Sequence, residues 1–77
     1  MVYTRIRNLR EDADMTQQQV ADLLFINRRT YSGYETGARM ILPEVLGKLA
    51  DIFGTSVDYL MERTDIKEAY PKRHSKT

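Results

Sequence analysis

Residues 17–36 constrain this chain more than any other stretch, because they hold the starts of two short helices and an apolar pattern that suits helices crossing. Thr16 reads as a helix N-cap, and Gln19 three residues on completes a capping box. Asn27 reads as the N-cap of the next helix. Ile26 just before it and Tyr31 four residues after it fit a hydrophobic staple. Two helices that cross steeply over a tight turn must keep particular positions apolar. Counted from Gln17, the fourth, eighth, tenth, fifteenth and eighteenth positions are Val20, Leu24, Ile26, Tyr31 and Tyr34. The fifth position, where the helices approach most closely, needs a small side chain and is Ala21.

The remaining pattern is helical as well. Val2, Ile6, Leu9 and Ala13 recur at four, three and four residues, one stripe of a first helix. Val20, Ala21 and Leu24 give the second helix its buried stripe, and Thr36-Gly37 closes the third, since glycine tolerates the left-handed cap position. Pro43 suits the first turn of a fourth helix with the stripe Leu46, Leu49, Ala50 and Phe53, ended by Gly54. Ser56 caps a short fifth helix holding Val57, Leu60 and Met61. No alternating strand pattern and no internal repeat is present. The expectation is an all-α fold of five short helices over residues 1–65, followed by a polar basic tail over 66–77. The tail has too few apolar groups to offset the entropy of ordering it, so it is expected to be flexible.

Composition narrows the chemistry. At 77 residues there is room for one small core. With no cysteine, a disulfide framework, a thiolate zinc site and a cysteine nucleophile are excluded. The single histidine, His74, lies in the tail, and no Ser/His/Asp set, glycine-rich phosphate loop or metal-ligand spacing is present. We therefore expect no enzyme, no metal and no cofactor, and no small-molecule ligand is evident. The longest unbroken apolar run, residues 23–26, is far short of a membrane span, and the first residues carry no signal-peptide pattern, so a cytoplasmic location is expected.

Net charge is only +1, but its distribution is uneven. Residues 40–65 sum to −3 and residues 66–77 to +3, while the first 39 residues hold Arg5, Arg7, Arg10, Arg28, Arg29 and Arg39. At about 100° per residue, Arg28, Arg29, Ser32, Gly33 and Thr36 fall within about 140° of arc on the third helix, and Tyr31 and Tyr34 point away. A polar, small-residue face with arginines at its N-terminal end suits the DNA major groove, where arginine can bond guanine O6 and N7 together. Gln17, at the start of the second helix, can bond a phosphate and orient a side chain at the start of the third.

Residues 16–22 (Thr-Gln-Gln-Gln-Val-Ala-Asp), 27–37 (Asn-Arg-Arg-Thr-Tyr-Ser-Gly-Tyr-Glu-Thr-Gly) and 48–60 together resemble the Cro/CI-type (XRE family) helix-turn-helix regulators. The resemblance covers about residues 2–65. It implies a compact five-helix bundle of the lambda-repressor-like type that binds double-stranded DNA as a homodimer. It further implies phosphate contact and orientation by Gln17 and base contacts by Arg28 and Arg29. Ser32 and Gly33 would lie near the groove floor, Thr36 and Arg39 near phosphates, and Asn27 within the same DNA-contacting set. It also implies a partly buried ion pair between Arg10 and Glu35. Three departures stand out: Phe25 at a turn position where the family usually has glycine, Gly33 where a long polar residue is common, and residues 40–43 ahead of the fourth helix.

The reading that follows is a sequence-specific transcriptional regulator, a repressor in preference to an activator, bound to a palindromic operator. The alternative is a protein-interaction module, such as an antitoxin or phage-derived adaptor, that keeps the fold. Val57, Tyr59, Leu60 and Met61 are expected to form the dimer interface, since they offer more apolar surface than one core-facing stripe needs.

Overall fold

A computed structural model describes residues 3–68. Its regular structure, among those residues, is five helices: α1 Thr4–Asp12, α2 Gln17–Leu24, α3 Arg28–Thr36, α4 Pro43–Phe53 and α5 Val57–Leu60. Local chemistry sets most of the boundaries. The Thr16 hydroxyl accepts from the Gln19 N–H at 3.1 Å, and the Gln19 side chain accepts from the Thr16 N–H at 2.8 Å, a complete capping box. Asn27 Oδ1 accepts from the Thr30 N–H at 2.7 Å, and Ser56 Oγ from the Tyr59 N–H at 3.0 Å. Pro43 occupies the first turn of α4, where its missing N–H costs nothing. Gly37 and Gly54 end α3 and α4 with φ of 86° and 64°, in the left-handed region that a side chain disfavours.

Helices α2 and α3 pack on each other, α4 packs on α5, and α1 lies across α3, α4 and α5. The core draws on every helix: Ile6 and Leu9, then Val20, Ala21 and Leu24, then Tyr31 and Tyr34, then Leu46, Leu49 and Ala50, and finally Leu60. Ile41, from the loop before α4, completes it. Each large apolar side chain moved from water into this core contributes about 1.5–3 kcal/mol before entropy is counted. The Tyr31 and Tyr34 rings meet edge to face at 6.4 Å between centroids, a favoured aromatic geometry.

Two expectations change. Ala13, assigned to the α1 stripe, is exposed, because α1 stops at Asp12 and Ala13 is already its C-terminal cap. Leu60, assigned to a dimer surface, is fully buried in the monomer core, so it has no face to offer a partner. Val2, the first member of the α1 stripe, lies outside the described residues, as do the tail residues Lys72, Arg73, His74 and Lys76. The start of the tail is tied to the bundle: the Thr55 hydroxyl donates to the Lys67 carbonyl. Arg5 Nη1 donates to the carbonyls of Tyr59 at 3.0 Å and Thr64 at 2.6 Å. Its Nη2 meets Asp65 at 3.1 Å, and the guanidinium lies over the Tyr59 ring at 4.2 Å. No sequence signal marked this clamp, since its partners stand more than fifty positions away.

Candidate nucleic-acid interface

The turn between α2 and α3 sets the angle of the two helices. Phe25 holds φ 59° and ψ 41°, which for an L residue costs roughly 1–2 kcal/mol. The N–H groups of Phe25 and Ile26 satisfy the α2 end by donating to Asp22 O and Ala21 O at 3.1 and 3.0 Å. The Phe25 ring itself is 90% exposed, so the strain is offset by backbone bonding and not by packing of that ring. Buried Val20, Ala21, Leu24, Tyr31 and Tyr34 then fix α3 against α2, with Ile26 half-buried at the turn.

Behind the turn lies a polar cluster. Arg10 Nε donates to Glu35 Oε2 at 2.7 Å and Nη2 to Glu35 Oε1 at 3.3 Å, a two-point clamp between α1 and α3. Arg10 Nη1 also donates to the Met15 carbonyl at 2.8 Å, tying the α1–α2 loop to the same guanidinium. Burial alone would push the Glu35 carboxyl up; the Arg10 guanidinium, the adjacent Tyr31 hydroxyl and the Gln17 amide favour the ionised form and hold it below its ordinary value. Burial, followed by the Glu35 carboxylate, pushes the Tyr31 hydroxyl far above its usual range. That hydroxyl has no hydrogen bond of ordinary geometry among the described residues.

Gln17 joins this cluster to the surface. Its Nε2 donates to Glu35 Oε1 at 3.0 Å, and its Oε1 accepts from Arg28 Nη1 at 3.5 Å. The amide therefore has a fixed orientation, oxygen toward the first residue of α3. Arg28 and Arg29 are exposed at the α3 N-terminus, Ser32 is half-buried and Thr36 is exposed. The Thr36 hydroxyl contacts the Gly33 carbonyl at 3.4 Å and accepts from the Ala38 N–H at the same distance. Asn27 spends its oxygen on the α3 cap. Gly33 is buried, not open on the helix face, because the Arg39 side chain covers it. The remaining arginines of the front half are committed elsewhere: Arg5 to the C-terminal segment, Arg7 to Glu11 at 3.1 Å, and Arg10 to Glu35. Among the described residues no group of carboxylate or histidine side chains could hold a metal ion, and no helix is long and apolar enough to cross a membrane.

A bundle whose second and third helices cross in this way, with the third presenting arginines at its exposed end, defines a helix-turn-helix protein. The helix-turn-helix family model matches residues 6–60, and the chain belongs to that family, in its Cro/CI-type (XRE) branch. Its members are DNA-binding transcriptional regulators and not enzymes. Among its relatives is the HTH-type transcriptional regulator AnsR of Bacillus subtilis, 41% identical over 88% of this chain and 59% of AnsR. The cryptic phage CTXphi transcriptional repressor RstR of Vibrio cholerae is 31% identical over 84% of the chain and 59% of RstR. The HTH-type transcriptional regulator ImmR of Bacillus subtilis is 30% identical over 83% of the chain and 50% of ImmR. The chain thus spans 50–59% of the length of these relatives. No solved structure matches it.

Proposed function

We propose that this chain is a transcriptional repressor, acting in the cytoplasm, that places α3 in the major groove of a palindromic operator as a homodimer. The observation that carries this reading is the N-terminal end of α3: two exposed arginines, one of them held beside the Gln17 amide, which is itself anchored on the buried Glu35. A bare surface arginine pair would need no such support. Arg28 and Arg29 read base edges, Gln17 and Asn27 bond phosphate from the α2 and α3 starts, and Ser32 lets the helix approach closely. The name of RstR as a repressor supports negative regulation.

One helix-turn-helix unit reads one half-site, and two-fold symmetry places two α3 helices about 34 Å apart in successive grooves. Val57, Tyr59 and Met61 remain partly exposed, and they form the proposed dimer face without Leu60.

Selection of bound sites from random duplex DNA tests the proposal, with binding then measured across a salt series. A consensus made of two inverted half-sites and a steep loss of affinity with salt are expected. Arg28→Ala should lose about 1–3 kcal/mol and relax preference at particular base pairs. No binding even at low salt would sink the reading in favour of a protein-interaction module.

A further inference from the structure

Gly33 lies on the same side of α3 as Arg29 and Thr36, about 40° round from Arg29 by helical geometry, yet it is buried. A Cβ built on Gly33 would stand 2.9 Å from Arg39 Cγ, 3.1 Å from Cδ and 3.4 Å from Cβ. The aliphatic stem of Arg39 thus fills the place that a side chain at position 33 would take. The backbone holds it there: Gly37 turns the chain at φ 86°, and the Arg39 N–H donates to the Gly33 carbonyl at 3.1 Å. Two residues on, Ile41 is anchored in the core at 8% exposure. Among the described residues no carboxylate pairs with the Arg39 guanidinium, whereas Arg5, Arg7, Arg10 and Arg63 all have acidic partners. Glycine in a helix interior is unfavourable relative to alanine. Here its lack of a Cβ is what lets the arginine stem lie against the helix.

We infer that Arg39 is a base-reading residue, delivering from the loop after α3 the long side chain that Gly33 lacks. This rests on α3 being the recognition helix. The Arg39 stem lies over Gly33, on the side of α3 that carries Arg29 and Thr36, and Arg39 itself is exposed. A guanidinium carried on a stem packed against α3 can present its two-pronged edge to guanine O6 and N7. Gly33 stands five residues beyond Arg28, roughly 7.5 Å along the helix axis, so Arg39 reads a different base pair from Arg28.

The test is selection from random duplexes with the wild-type chain, Arg39→Ala, Arg39→Lys, Gly33→Ala and Arg28→Ala, each checked for helicity by circular dichroism. The wild type should return a guanine in each half-site that Arg39→Ala no longer selects. Its preference over the other bases there should fall on the order of ten- to a hundredfold. Arg39→Lys, which keeps the charge but loses the two-pronged geometry, should lose most of the same preference. Gly33→Ala pushes the stem aside and should weaken selection at that position and no other. The inference is overturned if Arg39→Ala lowers affinity equally on all sequences with the consensus intact, or if Arg39→Lys selects like the wild type. In either case a position lost by Arg28→Ala leaves the DNA-reading proposal standing. A wild type that yields no consensus and no salt-sensitive binding overturns both.

Discussion

Removing the Glu35 carboxylate would leave a guanidinium with little water around it, since the Arg10 side chain is only 12% exposed. Breaking one half of a partly buried pair costs more than the roughly 1 kcal/mol of a surface ion pair and up to the about 3–5 kcal/mol of a fully buried one, a large part of what a small domain has to spare. Glu35→Gln should therefore show a strongly lowered urea midpoint. The double change Arg10→Met with Glu35→Leu should recover most of the loss, because two apolar side chains leave no buried charge behind. Acid reports the same pair. The folded-state carboxyl sits below its ordinary value of 4.5, so its stabilisation is present above that value and is lost as pH falls through the lower, folded one. Urea unfolding followed from neutral to strongly acid pH should show that acid limb in the wild type and a flatter one in Glu35→Gln. Family resemblance named both partners in advance. The attachment of Gln17 to the same carboxylate was not legible, because residues 17 and 35 meet only once α2 and α3 cross.

Helix ends were the most readable part of this chain, because a cap is decided within four residues. Thr16, Asn27, Ser56, Pro43 and the two cap glycines all act where the local pattern places them. Asn27→Ala should cost about 1 kcal/mol, which in a domain of this length lowers the melting temperature by about 4–8 °C. The α2–α3 turn gives the opposite prediction. Phe25→Gly relieves a left-handed strain of roughly 1–2 kcal/mol, partly offset by the greater freedom of glycine in the unfolded chain. Because the ring is 90% exposed, little packing is lost, and thermal melts should show a net rise in stability. A fall would mean that the ring has a role in the folded monomer. The α1 stripe was less readable at its end: the periodicity continues through Ala13, whereas the helix stops one residue earlier because Asp14 turns left-handed at φ 56° and the Asp14 and Met15 N–H groups donate back to Glu11 O and Arg10 O.

For the molecule as a whole, the question is which apolar residues face inward. Leu60 and Met61 are neighbours in sequence, yet Leu60 is fully buried and Met61 only half so. Leu60→Ala should cost about 2–5 kcal/mol by opening a cavity, seen as loss of cooperative unfolding at any protein concentration. Met61→Glu should leave the helical signal intact and lower the sedimentation mass at micromolar concentration. An unchanged mass from a dimeric wild type would remove α5 from the interface. The Arg5 clamp acts at this scale too. It joins α1 to the segment after α5, and it withdraws one arginine from the set that the charge pattern had offered to an anion.

The sequence by itself determined the class of fold, the five helices, their caps and the tyrosine face of α3, because each depends on spacing within a turn or two of helix. It also located the arginines at the α3 N-terminus. Tertiary structure decided which of several equivalent arginines remain available. Arg5 and Arg10 are taken by partners that only the folded bundle brings near, while Arg39 is laid across Gly33 by the chain reversal at Gly37. It likewise moved Leu60 from surface to core. In a four-residue helix the choice of inward side is made by what packs against it, not by its own period.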